Sequence, residues 1–392
     1  MSTAIAIFAR FFLVAGVACL VELLPHSSAQ ETDSSKQTEL LETLVAKLSS
    51  DKFSVREDAT EQLALRFDDS MLPQMDAIAK TLTDLEARVR LAGIISKIRY
   101  ERLQNQIRSF VRSRDPNETF GFEGWKSFSH YSGENRSSKM LFLKLLDRYP
   151  ELVEKALESK QAAVDRTKLI AARLGENRSQ LRYSEIEDGL ALLYCINASE
   201  DLYDLRLERI SLSTFMVAPF GPFLSEPQFR TPLERLLFNW AVKVTEEKQG
   251  CLALFMEKNM SHARELALGI LESTTADEDP ETYLLAMHAL YRFGQREDLP
   301  KVEKWLDNKV VCFERENVAR ERYTIEYRDV ALLIAFRLAG EDASDDFRQL
   351  RLHENQGFQN ESILIPAIET QFRTDRIEKW RSKRKNEKQT DA

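Results

Sequence analysis

Apolar residues recur at helical spacing from Glu39 onward, in four runs separated by short polar breaks. Leu40, Leu41, Leu44, Val45 and Leu48 share one face of the first run. Val55, Ala59, Leu63 and Phe67 mark the second, which Ser54 and Glu57 enter with the spacing of a capping box. Met71, Leu72, Met75, Ile78, Ala79 and Leu82 form the third. After Thr83 and Asp84 a long fourth run places Val89, Ala92, Ile95 and Ile98 inward and continues through Leu103, Ile107 and Val111. A helix with one apolar face has to bury it against a neighbour, so this pattern predicts stacked helical pairs.

Two Val-Arg pairs stand 34 residues apart, Val55-Arg56 and Val89-Arg90. At equivalent places in two hairpins, the valines are expected to point inward and the arginines to leave sideways toward the next pair. Asp51 and Asp84 precede them, each placed to cap a helix start and to offer a carboxylate to an arginine.

Further along, the pattern is less even. Residues 115–135 are irregular and rich in glycine and aromatics. Helical spacing returns at Lys139 and stops near Pro150. It resumes at Leu152–Leu157, Thr167–Leu174 and, opened by Ser184 and Glu187, through Ile186, Leu190, Leu193 and Ile196. Pro219, Pro222 and Pro227 interrupt an apolar stretch at Leu205–Arg230, which reads as a crossing segment because proline breaks helices. Thr231–Glu234 carries the signs of a helix start, and Asp279-Pro280 opens a helix that stops at Gly294. The stretch 297–306 reads as its antiparallel return, and Tyr327–Leu338 as a last apolar helix ended by Gly340. Arg373–Lys388 holds eight Lys or Arg and three acids, and reads as a solvated basic tail.

The stretch from Glu39 to about Arg99 resembles HEAT repeats, helical hairpins with an Asp…Val-Arg signature, although Val55 to Ala59 is four residues and Val89 to Ala92 three. More broadly the chain is similar to a group of secreted bacterial HEAT-like proteins. The similarity is carried by Gly124-Trp125 with Phe128, by Arg328–Leu333 and by Lys379-Trp380. The resemblance implies an all-α, HEAT/armadillo-like superhelix of stacked helical hairpins, with an irregular aromatic segment and a Pro-rich apolar crossing segment. It implies no activity. The expected organisation is a signal peptide at 1–29, a flexible leader at 30–38, HEAT-like repeats at 39–114, a middle helical region at 115–230, C-terminal hairpins at 231–372 and a basic tail at 373–392.

The signal reading rests on Arg10, the short apolar run Phe11–Val21 and small residues Ser27 and Ala29 before a cut at Gln30; the run is too short to span a bilayer. An uncleaved anchor is the alternative. Secretion or a periplasmic location follows. Removal of residues 1–29 takes Arg10 and Glu22 together, so the formal charge stays at −8. An acidic chain disfavours general nucleic-acid binding. With 43% apolar and 30% charged residues the composition is that of a folded chain. Cys195, Cys251 and Cys312 would remain, too few and too scattered for a disulfide framework or a zinc site.

Candidate chemistry is sparse. Walker, Gly-x-Ser-x-Gly and His-Glu-x-x-His motifs are absent, and the histidines are isolated. No catalytic residue, metal ligand or cofactor is expected. Trp125, Phe128, His130 and Tyr131 could form an aromatic platform for a peptide or sugar ring, or could fill the core. Lys97–Arg114 and the tail Arg373–Lys388 offer two basic stretches for contact with an anionic surface. Glu185, Glu187 and Asp188 cluster, but as a helix start. The expectation is a non-enzymatic scaffold that binds a protein or peptide partner on a concave surface. The alternative is a secreted all-helical enzyme that uses paired carboxylates on carbohydrate.

Overall fold

The computed structural model describes residues 34–155, 157–176, 186–199, 205–216, 220–273, 275, 279–343, 346–347, 350–353 and 357–390. The segment expected to be a signal peptide, with its expected cut at Ala29-Gln30, lies outside the described residues. Helix accounts for 73% of the structure, so the all-α character expected from the pattern holds, with a small sheet as the exception. No helix among the described residues is long and apolar enough to cross a membrane. The chain divides into two compact units, one up to Glu123 and one from Gly124 onward.

In the N-terminal unit α1 (Ser34–Leu48), α2 (Phe53–Arg66), α3 (Leu72–Thr81) and α4 (Leu85–Arg112) follow the four apolar runs. Helix α1 begins at Ser34, inside the stretch expected to be a flexible leader. Leu41, Leu44, Val45 and Leu48 of α1 meet Ala59 and Leu63 of α2, Met75 of α3 and Leu91, Ile94, Ile95 and Ile98 of α4 in one core. The i, i+3, i+4, i+7 spacing of 91, 94, 95 and 98 turns a single face of α4 inward. Val89 lies two residues off that face and is 62% exposed, which corrects the expected inward valine. Val55 is only half-buried, and Ala92 also faces outward.

The arginines do bridge the two hairpins, through different acids from those expected. Arg56 donates from Nε to Glu86 (2.9 Å), and Arg90 donates to Glu57 (2.6 Å) and Glu86 (3.0 Å). Asp84 caps α4, accepting from the Ala87 amide at 2.7 Å. Asp51 caps nothing: the residue before α2 is Lys52, no side chain satisfies that helix start, and the Ser54–Glu57 box does not form. After α4 the chain turns back through Phe120 and Gly121, both at positive φ, and sets Phe122 edge-on to Phe110.

The C-terminal unit opens with α5 (Trp125–Ser132), α6 (Arg136–Leu143) and a short α7 (Pro150–Glu154). Gly124 shows why this start is spelled Gly-Trp: a Cβ there would lie 1.9 Å from the Leu152 carbonyl oxygen. Its own carbonyl accepts from the Tyr194 hydroxyl at 3.1 Å. Helix α8 (Lys160–Glu176) packs on α9 (Ile186–Ala198), which is buried on nearly every side. The stretch expected to cross without helix is instead α10 (Leu205–Met216) and α11 (Phe220–Ser225). Pro227 then starts α12 (Pro227–Ala241) at its first position, where a missing amide hydrogen costs nothing. Thr231 and Pro232 therefore lie inside a helix they were expected to begin.

Helices α13 (Lys248–Glu257), α14 (Ala263–Ser273) and α15 (Pro280–Phe293) follow. Asp279 caps α15 as its position suggests, accepting from the Thr282 amide at 3.1 Å. The expected return helix shrinks to α16 (Leu299–Val302) between 3-10 turns. Next comes a departure from the all-helical expectation. Strands β1 (Val311–Glu316) and β2 (Arg322–Glu326) form a hairpin and lead into α17 (Tyr327–Ala339), which Gly340 ends at φ +77°. A two-residue pair, β3 (Leu352–His353) with β4 (Gly357–Phe358), precedes β5 (Ile365–Pro366). β5 joins β2 antiparallel, giving the order β1-β2-β5 with Tyr323 opposite Pro366 and Thr324 opposite Ile365. Helix α18 (Thr370–Thr390) closes the unit.

Candidate functional site

Helix α18 lays Arg373, Arg376, Ile377 and Trp380 inward, the same i, i+3, i+4, i+7 stripe that apolar residues trace elsewhere. Two of the four places are held by arginine, so each guanidinium needs acceptors inside the fold. Arg373 has them. It is fully buried and donates from Nε to Asp329 Oδ2 (2.9 Å) and from Nη2 to the Thr324 carbonyl (2.8 Å) and hydroxyl (3.0 Å). Asp329 in turn accepts from the Glu326 amide at the start of α17 (2.9 Å), and Glu326 pairs with Arg328 at 2.6 Å. Burial pushes the Asp329 carboxyl above the usual carboxylate range, against the pull of Arg373. One side chain thus joins the last helix to β2 and to the N-terminus of α17.

One turn later Arg376 forms part of the wall of a cleft of about 720 Å³. Among the described residues the cleft is bounded by Arg315, Asn317 and Tyr323 from the β1–β2 hairpin, by the chain from Glu361 to Pro366, by Glu369 just before α18 and Phe372 within it, and by Asp346 and Phe347. The guanidinium is stacked on Phe347, its carbon 4.0 Å from the ring centroid, and lies 5.2 Å from the Phe372 centroid. Asp346 Oδ1 sits 3.4 Å from Nε, close enough for attraction between charges. The alignment does not make a hydrogen bond, and Nε and Nη2 are both buried with no hydrogen-bond partner. Burial lowers the basicity of Arg376, while Asp329 and Asp346 act to hold its charge. A guanidinium presents planar N–H pairs that match a carboxylate, and the Nε–Nη2 edge is one of them.

The expected basic tail is therefore partly a core element. Beyond the two buried arginines, Arg381, Lys383 and Arg384 pair with Asp307, Glu341 and Glu303. What marks them in the sequence is the spacing to Ile377 and Trp380. In the other basic stretch Arg99 reaches Asp76 (2.5 Å) and Arg102 lies 3.6 Å from Asp69.

The aromatic candidates divide. Trp125 and Phe128 are fully buried with Phe142 and Tyr194, at centroid distances of 5.0–6.3 Å, and are core rather than platform. His130 is exposed and lies edge-on to the half-buried Tyr131 at 4.8 Å, but two rings without Trp125 and Phe128 do not make the expected surface. Asp188 is buried, accepting from Tyr149 (2.6 Å) and Arg173 (2.6 Å), an internal tie between helices; Glu185 lies outside the described residues. Cys195, Cys251 and Cys312 are free. Burial pushes the Cys195 and Cys312 thiols up to about 12, far from reactive thiolate. Among the described residues no three His, Cys, Asp or Glu side chains are placed to hold a metal ion.

Comparison with protein-family models, curated proteins and solved structures gives no match for this chain. What the cleft can do chemically has to be read from its wall. Stacked aromatic and guanidinium faces, a strand edge and charges of both signs can hold a polar ligand in a fixed orientation.

Proposed function

We propose that this chain is a non-enzymatic helical-repeat scaffold for protein–protein interaction, exported by its first 29 residues and of the HEAT or armadillo type in its N-terminal unit. Its partner surface is the cleft between the β1–β2 hairpin and α18. The observation that carries this reading is the composition of the cleft wall, where, among the described residues, three aromatic rings, the short strand β5, two arginines and three acids stand together. Polypeptide carries this same mixture of apolar, hydrogen-bonding and charged groups, so such a wall suits a peptide segment better than a uniformly charged ligand. In the N-terminal unit, the bridging of two hairpins by Arg56 and Arg90 supports the repeat reading.

A second reading keeps one specific support: Asp346, Glu361 and Glu369 share the cleft, and a carbohydrate-acting enzyme needs two carboxylates across a cleft. Site-specific photo-crosslinking separates the two. A photoreactive residue in place of Phe372 should capture a protein in the native compartment, and one in place of the exposed Glu378 should not. Retention and turnover of an oligosaccharide, abolished by Glu361→Gln or Glu369→Gln, would replace the scaffold with the enzyme.

A further inference from the structure

Helix α4 carries two apolar faces. Leu91, Ile94, Ile95 and Ile98 enter the core of the N-terminal unit. On the other side Leu85, Val89, Ala92, Gly93, Ser96 and Tyr100 fall within about 100° of one another around the helix axis, and all six are exposed. Leu85 and Val89 are 63% and 62% exposed, and Tyr100 is 53% exposed. Phe53 of α2 adds a further exposed ring. It lies 5.9 Å from the guanidinium carbon of Arg90, the residue after Val89.

Single exposed apolar side chains are ordinary, but a stripe at helical spacing has the form of a packing face. Its relief is specific. Leu85, Val89 and Tyr100 stand at the ends, while Ala92, Gly93 and Ser96 lower the middle. A Cβ built on Gly93 meets nothing within 4 Å. A rod can approach such a saddle closely. A lipid surface is met instead by large side chains that reach into it, and the middle of this stripe has none.

The charges beside the stripe select the rod. Arg88 flanks it on one side and Lys97 on the other, both exposed and, among the described residues, in no ion pair. Glu86, on the Lys97 side, is already held by Arg56 and Arg90, and Arg99, on the Arg88 side, by Asp76. A second copy of the chain fits poorly. Laid antiparallel, it sets Leu85 opposite Tyr100 of the second copy and Arg88 opposite its Lys97, cation against cation. A helix with acidic flanks meets both cations with opposite charge.

We propose that this outer face of α4 docks an amphipathic helix of another protein, with its apolar stripe along Leu85–Tyr100 and acids opposite Arg88 and Lys97. The stretch covers about 22 Å, so the partner helix has about four turns. This surface goes beyond the scaffold reading above, since it lies in the other unit and does not use the cleft.

Three pools of helical peptides of about 18 residues test it on the full chain. One has an apolar stripe flanked by Glu, one the same stripe flanked by Lys, and one the Glu composition shuffled to remove the stripe. The Glu-flanked pool should be retained about tenfold better than either of the others. Val89→Ser leaves the core untouched, and Gly93→Gln fills the saddle with a helix-favouring side chain, so both should fold. Each should lower retention of the Glu-flanked pool about tenfold. Arg88→Glu combined with Lys97→Glu should reverse the preference toward the Lys-flanked pool. Equal retention of the pools, or retention unchanged in Val89→Ser and Gly93→Gln, overturns the docking face. Binding of the chain to vesicles of phosphatidylserine and phosphatidylcholine that Val89→Ser abolishes overturns it in favour of a membrane. Self-association that Gly93→Gln abolishes overturns it in favour of a second copy. None of these results touches the capture expected at position 372, and failure of that capture leaves the α4 face standing.

Discussion

Arg90 in the N-terminal unit and Arg373 in the C-terminal unit each reach two carboxylates. For Arg90 these are Glu57 and Glu86 at 2.6 and 3.0 Å; for Arg373 they are Asp329 and Glu326 at 2.9 and 3.8 Å. The geometry is alike and the surroundings are opposite. The glutamates around Arg90 are half exposed, and water screens the pairs and competes for them. Arg373 has no exposure, and its acceptors include backbone carbonyls of β2 and β5 that no water reaches. A surface ladder of this kind fixes the register of two hairpins at little cost or gain. In the interior, each member becomes hostage to the other.

The largest expected effect breaks the interior pair. Arg373→Met leaves Asp329 as a buried charge without its partner and should destabilise the C-terminal unit by about 3–5 kcal/mol. Adding Asp329→Leu should recover much of that loss. All four tryptophans (Trp125, Trp240, Trp305 and Trp380) lie in this unit, so their emission during denaturant titration reads it alone. Next in size is a test of register in the other unit. Leu91→Ala should cost about 2–5 kcal/mol, against less than about 0.5 kcal/mol for Val89→Ser two residues away. Tryptophan emission does not sense that unit, so helical circular dichroism or amide hydrogen exchange along α4 is the measurement.

A smaller and pH-dependent effect belongs to Glu234, which accepts from the Ser261 hydroxyl, the His262 amide and His262 Nδ1 at 2.9–3.1 Å. Burial acts to raise its carboxyl, but these hydrogen bonds outweigh burial and hold it below the ordinary value of 4.5. A group lowered on folding stabilises the fold above its unfolded value and loses that contribution as pH falls through the folded one. Glu234→Gln should therefore be less stable than the parent at neutral pH. The gap should close as the pH is taken below about 4.5, in unfolding curves collected across that range. The smallest effect is at the surface ladder. Glu86→Gln should leave the unfolding midpoint within experimental scatter at moderate salt, since exposed pairs contribute little.

Much of the N-terminal unit was legible because its cores are spelled with apolar residues at helical spacing. The breaks at Ser49–Lys52, Asp68–Ser70 and Thr83–Asp84 fall between the helices observed. In α4 the Val-Arg signature and the apolar spacing disagree, and the packing follows the spacing. Leu91, Ile94, Ile95 and Ile98 define the inward face of α4, and Val89 stands about 200° around the helix from Leu91. In the C-terminal unit the caps and stops were readable at Asp279, Gly294 and Gly340. The sheet was not, because β1 is exposed on most of its length and reads Val-Cys-Phe-Glu-Arg-Glu, without a clear apolar alternation. The cleft was hidden for a related reason. Arginine at a core position is indistinguishable from arginine on a solvated tail until its partners are known, and Asp329 lies 44 residues upstream of Arg373.

That separation has a consequence for the order in which the protein assembles as it is made. Residues 324–329 leave the ribosome well before residue 373, so for an interval Asp329 and the Thr324 carbonyl lack the Arg373 guanidinium from which both accept in the folded chain. The hairpin and α17 can adopt their backbone in that interval but cannot close over their polar centre. A nascent chain arrested short of Arg373 should therefore stay open to proteases across β2 and α17, and release of about one further helical turn should seal it.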